Sequence, residues 1–82
     1  MRIVRKQYQA SLTLTNERLI EKVADFPEQS MGSMVCSLVD VTLFDGTVIE
    51  QVPIQNGNLV YFYDDMKIFF ESDIFDVAPS EV

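Results

Sequence analysis

At 82 residues the chain is one domain, near the size at which a single core just suffices, and with 48% apolar residues it is too hydrophobic to remain disordered. Its net charge of −7 is uneven: five of the six basic residues (Arg2, Arg5, Lys6, Arg18, Lys22) fall in the first 22 positions, and beyond them Lys67 alone faces eleven acids. Six scattered cations offset by thirteen acids give only weak phosphate attraction, and direct nucleic-acid binding is not expected.

Residues 3 to 14 alternate, with Val4, Tyr8, Ala10, Leu12 and Leu14 on one side and Arg5, Gln7, Gln9, Ser11 and Thr13 on the other. Period two of this kind predicts a half-buried strand, broken only by Lys6. Thr15 or Asn16 then offers an N-cap, and Glu17 stands well beside a helix N-terminus. Leu19, Ile20 and Val23, extended by Phe26, form the stripe of a helix of about three turns at most, which Pro27 ends. Residues 28–33 read as a loop. Further strands are expected from Met34 to Phe44, Thr47 to Ile54, Leu59 to Tyr63 and, after a tight turn at Asp64 and Asp65, Met66 to Glu71. Ser72 is placed to cap one turn through Asp73, Ile74 and Phe75, before a frayed acidic terminus at residues 79–82. The whole of 1–82 forms one unit, without repeat or linker.

Two turn signals supply a register. Asp45-Gly46 and Asn56-Gly57 both suit two-residue type I′ loops, in which the central residues need positive φ. With those loops Leu43 faces Val48, Val41 faces Glu50, Ile54 faces Leu59 and Val52 faces Tyr61. The third turn would set Tyr61 against Ile68 and Leu59 against Phe70. One face then gathers Val39, Val41, Leu43, Val48, Val52, Ile54, Leu59, Tyr61, Tyr63, Ile68 and Phe70, which is the expected main core. The opposite face holds Asp40, Thr42, Gln51 and Lys67, but also Cys36, Leu38, Phe44, Ile49, Val60, Phe62 and Phe69. That is too much apolar surface for a face turned to water. Barrel closure, a second copy of the chain, or a different protein would each cover it. Glu50 alone breaks the core face, and a β-bulge or a place at the sheet margin would turn it outward.

Catalytic groups are sparse. The chain has no histidine, hence neither the commonest general base nor the commonest transition-metal ligand. Cys36 falls inside a strand with nothing to activate it and reads as a small core residue in a reducing compartment. Asp64, Asp65, Glu71, Asp73 and Asp76 lack calcium-loop spacing and are accounted for by turns and caps, so no metal site is assigned. Three dispersed glycines make no phosphate cradle, and no cofactor is expected. No apolar run reaches transmembrane length, and no signal-peptide pattern follows Met1-Arg2, which points to a cytoplasmic protein without a membrane partner.

The fold class expected is α+β, mainly β: a strongly twisted antiparallel sheet of about five strands, with one short helix between strands 1 and 2. A partly closed SH3-like barrel is the nearest architecture. The function expected is a non-enzymatic protein-interaction module, as a homodimer or with another protein, using Ile49, Val60, Phe62 and Phe69 or an exposed edge strand for contact, with the acidic sheet steering a basic partner. The alternative is an acidic inhibitor that imitates nucleic acid, of the kind mobile elements encode. There Asp64, Asp65, Glu71, Asp73 and Asp76 would occupy the cationic groove of a nucleic-acid-handling enzyme.

Overall fold

A computed structural model describes residues 8–31 and 34–80. The chain runs β1 (Tyr8–Thr13), α1 (Glu17–Ala24), β2 (Gln29–Met31), β3 (Met34–Leu43), β4 (Val48–Gln55), β5 (Leu59–Tyr63), a 3-10 turn (Glu71–Asp73) and β6 (Ile74–Pro79). It is a mainly antiparallel β protein with one short helix between its first two strands, as composition and patterning lead one to expect. The part of the expected first strand before Tyr8 lies outside the described residues, as do Glu81 and Val82.

The sheet is ordered β1-β5-β4-β3-β2 and does not close on itself. Since β4 pairs with β3 along most of its length, β2 and β6 share the other edge of β3 end to end. The helix crosses from β1 toward this far side and packs against β6. It starts at Asn16, whose side-chain oxygen accepts the N–H groups of Arg18 (3.0 Å) and Leu19 (3.4 Å). Leu19 and Val23, one helical turn apart, are buried beneath it. At eight residues the helix depends on that burial, because isolated helices so short are unstable.

The turns account for where the register departs from expectation. At the first hairpin Gly46 takes φ +90°, its N–H reaches Leu43 O (3.0 Å), and Leu43 N–H reaches Thr47 O (2.8 Å). The loop is therefore three residues long, a turn followed by a left-handed glycine, and Thr42 rather than Leu43 faces Val48. A bulge then cancels the shift: Glu50 and Gln51 together oppose Asp40, so that Val39 faces Val52 as expected. Glu50 is exposed because the longer loop already sets Ile49, and not Glu50, against Val41 on the core side; the bulge then returns Val52 to the inside.

At the second hairpin Asn56 (φ +56°) and Gly57 (φ +78°) do form the expected turn, closed by Asn58 N–H to Gln55 O (3.3 Å). Asn58 is nevertheless one residue too many, and its carbonyl accepts Leu14 N–H (2.7 Å) at the end of the β1 ladder. Ile54 consequently faces Val60, not Leu59. One residue of slip turns every side chain of a strand over. Val60 and Phe62 thus point inward at 1% exposure, and Leu59, Tyr61 and Tyr63 are half-buried outside.

The strand expected over Met66–Glu71 does not form. β5 is paired with β1 on one edge and β4 on the other, which leaves no edge for it. The ladder is made instead by β6, through residues expected to form a helical turn and a frayed end. Pro79 ends that strand, and Ser80 N–H bonds Leu38 O at 2.9 Å. The expected loop at 28–33 likewise contains β2.

The core between sheet and helix comprises Leu14, Leu19, Val23, Val39, Val41, Leu43, Val52, Ile54, Val60, Phe62, Phe69, Ile74 and Val77. Phe62 and Phe69 meet edge-to-face at its centre, with ring centroids 4.8 Å apart. Burying each ring stabilises the fold by roughly 2–3 kcal/mol, and the paired geometry adds about 1 kcal/mol.

Candidate interaction site

The apolar contact face expected from the turns is not available as a surface. Val60, Phe62 and Phe69 are at most 3% exposed, and Ile49 packs against the same core. The curled sheet, covered by the helix, uses this face as its interior. The apolar excess has moved to the outside, where Phe44 (69% exposed), Phe75 (55%), Ile68 (48%) and Phe70 (71%) stand in water.

Local backbone geometry puts them there. Phe44 opens the three-residue loop of the first hairpin, and its N–H donates to Asp73 O (3.0 Å), which ties that loop to the 3-10 turn. Phe75 is an extra residue in β6, between Ile74 (opposite Leu43) and Asp76 (opposite Thr42). The bulge rotates its side chain out of the ladder and onto Phe44, with ring centroids 5.4 Å apart and planes at 70°. Beside this pair lies a groove of about 270 Å³. Its apolar lining is Leu43, Phe44, Ile68 and Phe69, and its polar lining is Asp45, Lys67 and Asp73.

The charged groups at the groove are held locally. Asp45 accepts Thr47 N–H (2.9 Å) and stands 4.0 Å from Lys67 Nζ. The Thr47 hydrogen bonds hold its carboxyl below the usual carboxylate range, with a lesser contribution from Lys67. Asp73 accepts Phe70 N–H (3.0 Å) and so caps the 3-10 turn.

Of the acids considered for nucleic-acid imitation, three are engaged within the fold. Glu71 accepts Thr15 N–H (2.6 Å), Thr15 Oγ1–H (2.7 Å) and Asn16 N–H (2.9 Å). Burial pushes the Glu71 carboxyl up, but the bonds from Asn16 and Thr15 outweigh it and hold the group below its ordinary value. Asp76 pairs with Lys22 and stands 3.8 Å from Arg18, and the Lys22 contact lowers its pKa most. Asp73 caps its own turn. Asp64 and Asp65 are exposed in the turn after β5, where Met66 N–H reaches Tyr63 O (3.1 Å).

Another polar groove lies where Asp40, Glu50, Gln51, Pro79 and Ser80 meet. Gln51 N–H is shared between Asp40 Oδ1 and Ser80 Oγ, each at 3.1 Å, and Ser80 donates to Asp40. These bonds satisfy the backbone at the β4 bulge, which is a sufficient reason for the cluster. Cys36 is buried in the sheet, and burial raises its thiol pKa. Among the described residues no group of three His, Cys, Asp or Glu side chains could hold a metal ion. No helix among them is long and apolar enough to cross a membrane.

Phe44 and Phe75 were not singled out by patterning. Leu43-Phe44-Asp45-Gly46-Thr47 carries the signal for a three-residue loop as well as for a two-residue one, and only the longer loop exposes Phe44 in this way. No sequence signal marks the Phe75 bulge. No family model matches the chain, and no curated protein or solved structure matches it.

Proposed function

We propose that the protein is a non-enzymatic interaction module that binds a protein partner through the outward aromatic patch of Phe44, Phe75 and Ile68. The observation that carries this reading is the exposed Phe44–Phe75 pair beside a groove at the meeting of three segments. Large aromatics held in water by turn and bulge geometry lose hydration cost when a partner covers them, and such residues supply most of the energy of protein contacts. The single cysteine, buried as a thiol, goes with a cytoplasmic location.

The acidic-inhibitor alternative rests on the net charge of −7. Two of its five carboxylates, Glu71 and Asp76, are already taken up by Thr15, Asn16 and Lys22, which weighs against it. Salt separates the two readings, since imitation of nucleic acid weakens steeply with ionic strength and an apolar contact does not.

The test is affinity capture from the native host with wild type and the Phe44→Ser/Phe75→Ser variant, at low and at moderate salt. Circular dichroism establishes that the variant is folded. Proteins that survive moderate salt on the wild type and are lost from the variant support the reading. An unchanged set on the folded variant overturns it.

A further inference from the structure

We infer that this patch takes a cationic apolar segment of another protein, in which Lys or Arg is flanked by apolar residues, and not a second copy of this chain. The inference rests on the interaction-module reading and specifies its partner.

The groove has an apolar floor and an anionic rim. Leu43 and Phe69 are buried at its base, Phe44 and Ile68 form exposed walls, and Asp45 and Asp73 supply two carboxylates. Lys67 is the cation beside them, and its contact with Asp45 is long and exposed, with side chains 59% and 62% accessible. A pair of that kind is weak and screened, so an incoming cation can displace Lys67 at little cost. Arginine suits the site best, because its planar head pairs with carboxylates and stacks on an aromatic face such as that of Phe44. Apolar neighbours in the segment would then lie on Phe75 and Ile68.

The same charges disfavour self-association. A two-fold interface apposes a patch to itself, and here it would bring together four carboxylates, Asp45 and Asp73 of each copy, against two Lys67 ammonium groups, between chains of charge −7. A basic partner gains from the field that a second copy must overcome.

The experiment titrates ¹⁵N-labelled protein with a short synthetic peptide whose core is Leu-Arg-Leu-Arg-Leu, and with its Arg-to-Gln counterpart. The expected result is amide shift changes confined to Phe44, Asp45, residues 67–69, Asp73 and Phe75, with the Gln peptide giving none. Asp45→Asn/Asp73→Asn should weaken binding about tenfold at fixed salt, through loss of the two charge contacts. Asparagine keeps an oxygen for the Thr47 and Phe70 N–H groups, so the local structure survives. Asp25→Asn/Glu28→Gln removes the same charge just before β2, which pairs with the end of β3 away from Leu43 and the groove, and should change affinity less than about twofold.

Equal weakening in both variants, or shifts spread over all acidic surfaces, would mean diffuse attraction and overturn the inference. A dimer in sedimentation that Phe44→Ser/Phe75→Ser dissolves would assign the patch to a second copy; the inference would fail and the module reading stand. A folded Phe44→Ser/Phe75→Ser variant that keeps every captured protein defeats the module reading itself.

Discussion

Gln51 holds a backbone conformation that side chains disfavour. Its φ of +56° lies in the left-handed region, which costs a non-glycine residue about 1–2 kcal/mol. The bulge keeps it there because its N–H is satisfied by Asp40 and Ser80 and because the register on either side must be reconciled. Gln51→Gly should therefore raise stability by about 0.5–1 kcal/mol in urea unfolding, the relief of strain being partly offset by glycine's unfolded-state entropy. A loss of stability would show that the side chain itself holds the bulge. Glu71 is the other residue with a defined effect. Its carboxyl is lowered on folding, so the unfolded chain binds the extra proton and the contribution of Glu71 is present above its ordinary value of 4.5. That contribution is lost as pH falls through the lower folded value. Glu71→Gln should reduce the melting temperature at pH 7 and leave less difference from wild type at pH 3; an undiminished gap at pH 3 would contradict this assignment.

At the scale of elements, β5 decides what is core. Its segment Leu59-Val60-Tyr61-Phe62-Tyr63 is apolar on both parities, so either face satisfies the hydrophobic pattern. The observed choice puts Val60 and Phe62 inside and leaves the tyrosines half-buried outside, where the Tyr61 hydroxyl donates to Gln55 Oε1 (3.0 Å). Phe62→Ala should cost about 3–5 kcal/mol, enough to unfold much of a domain this small, whereas Tyr61→Ala should cost about 1–2 kcal/mol. Chemical denaturation of the two variants reads this directly, and the reverse order would restore the opposite register. The helix needs its own cap in the same way: Asn16→Ala should cost about 1 kcal/mol, since Arg18 and Leu19 N–H groups lose their acceptor.

At the scale of the whole molecule, side chains span the gap that hydrogen-bonded strands leave open. Glu71 ties the chain before α1 to the 3-10 turn, Lys22 and Arg18 hold Asp76 of β6, and Arg18 also donates to Phe75 O at 3.1 Å. These links join the helix to the strand that carries half of the aromatic pair, so the proposed contact patch depends on them. Against them stands the charge of residues 23–82, where Lys67 faces eleven acids. Exposed ion pairs are weak, and net repulsion acts on the whole fold, so added salt should raise the melting temperature by a few degrees between about 0.01 and 0.3 M. A fall would show that the pairs around Asp76 outweigh the repulsion.

Much of this architecture is determined within short stretches of chain. Alternation over residues 8–14 and the Asn16 cap with its Leu19 and Val23 stripe are local, and each produced its element where expected; the left-handed glycines at 46 and 57 placed both hairpins, though each loop is one residue longer than expected. The outward turn of Glu50 follows too, because an unpaired carboxylate among valines is costly, and the longer loop avoids that cost by setting Ile49 against Val41. Which residues line the interior was not local. It turned on two extra loop residues, Phe44 in one hairpin and Asn58 in the other, and on the pairing of β1 and β4 to opposite edges of β5. The sequence specified an apolar excess beyond what one sheet face needs. Only tertiary pairing could place it, because a strand apolar on both faces takes its orientation from its neighbours, and those neighbours put Phe62 inside and left Phe44 and Phe75 in water.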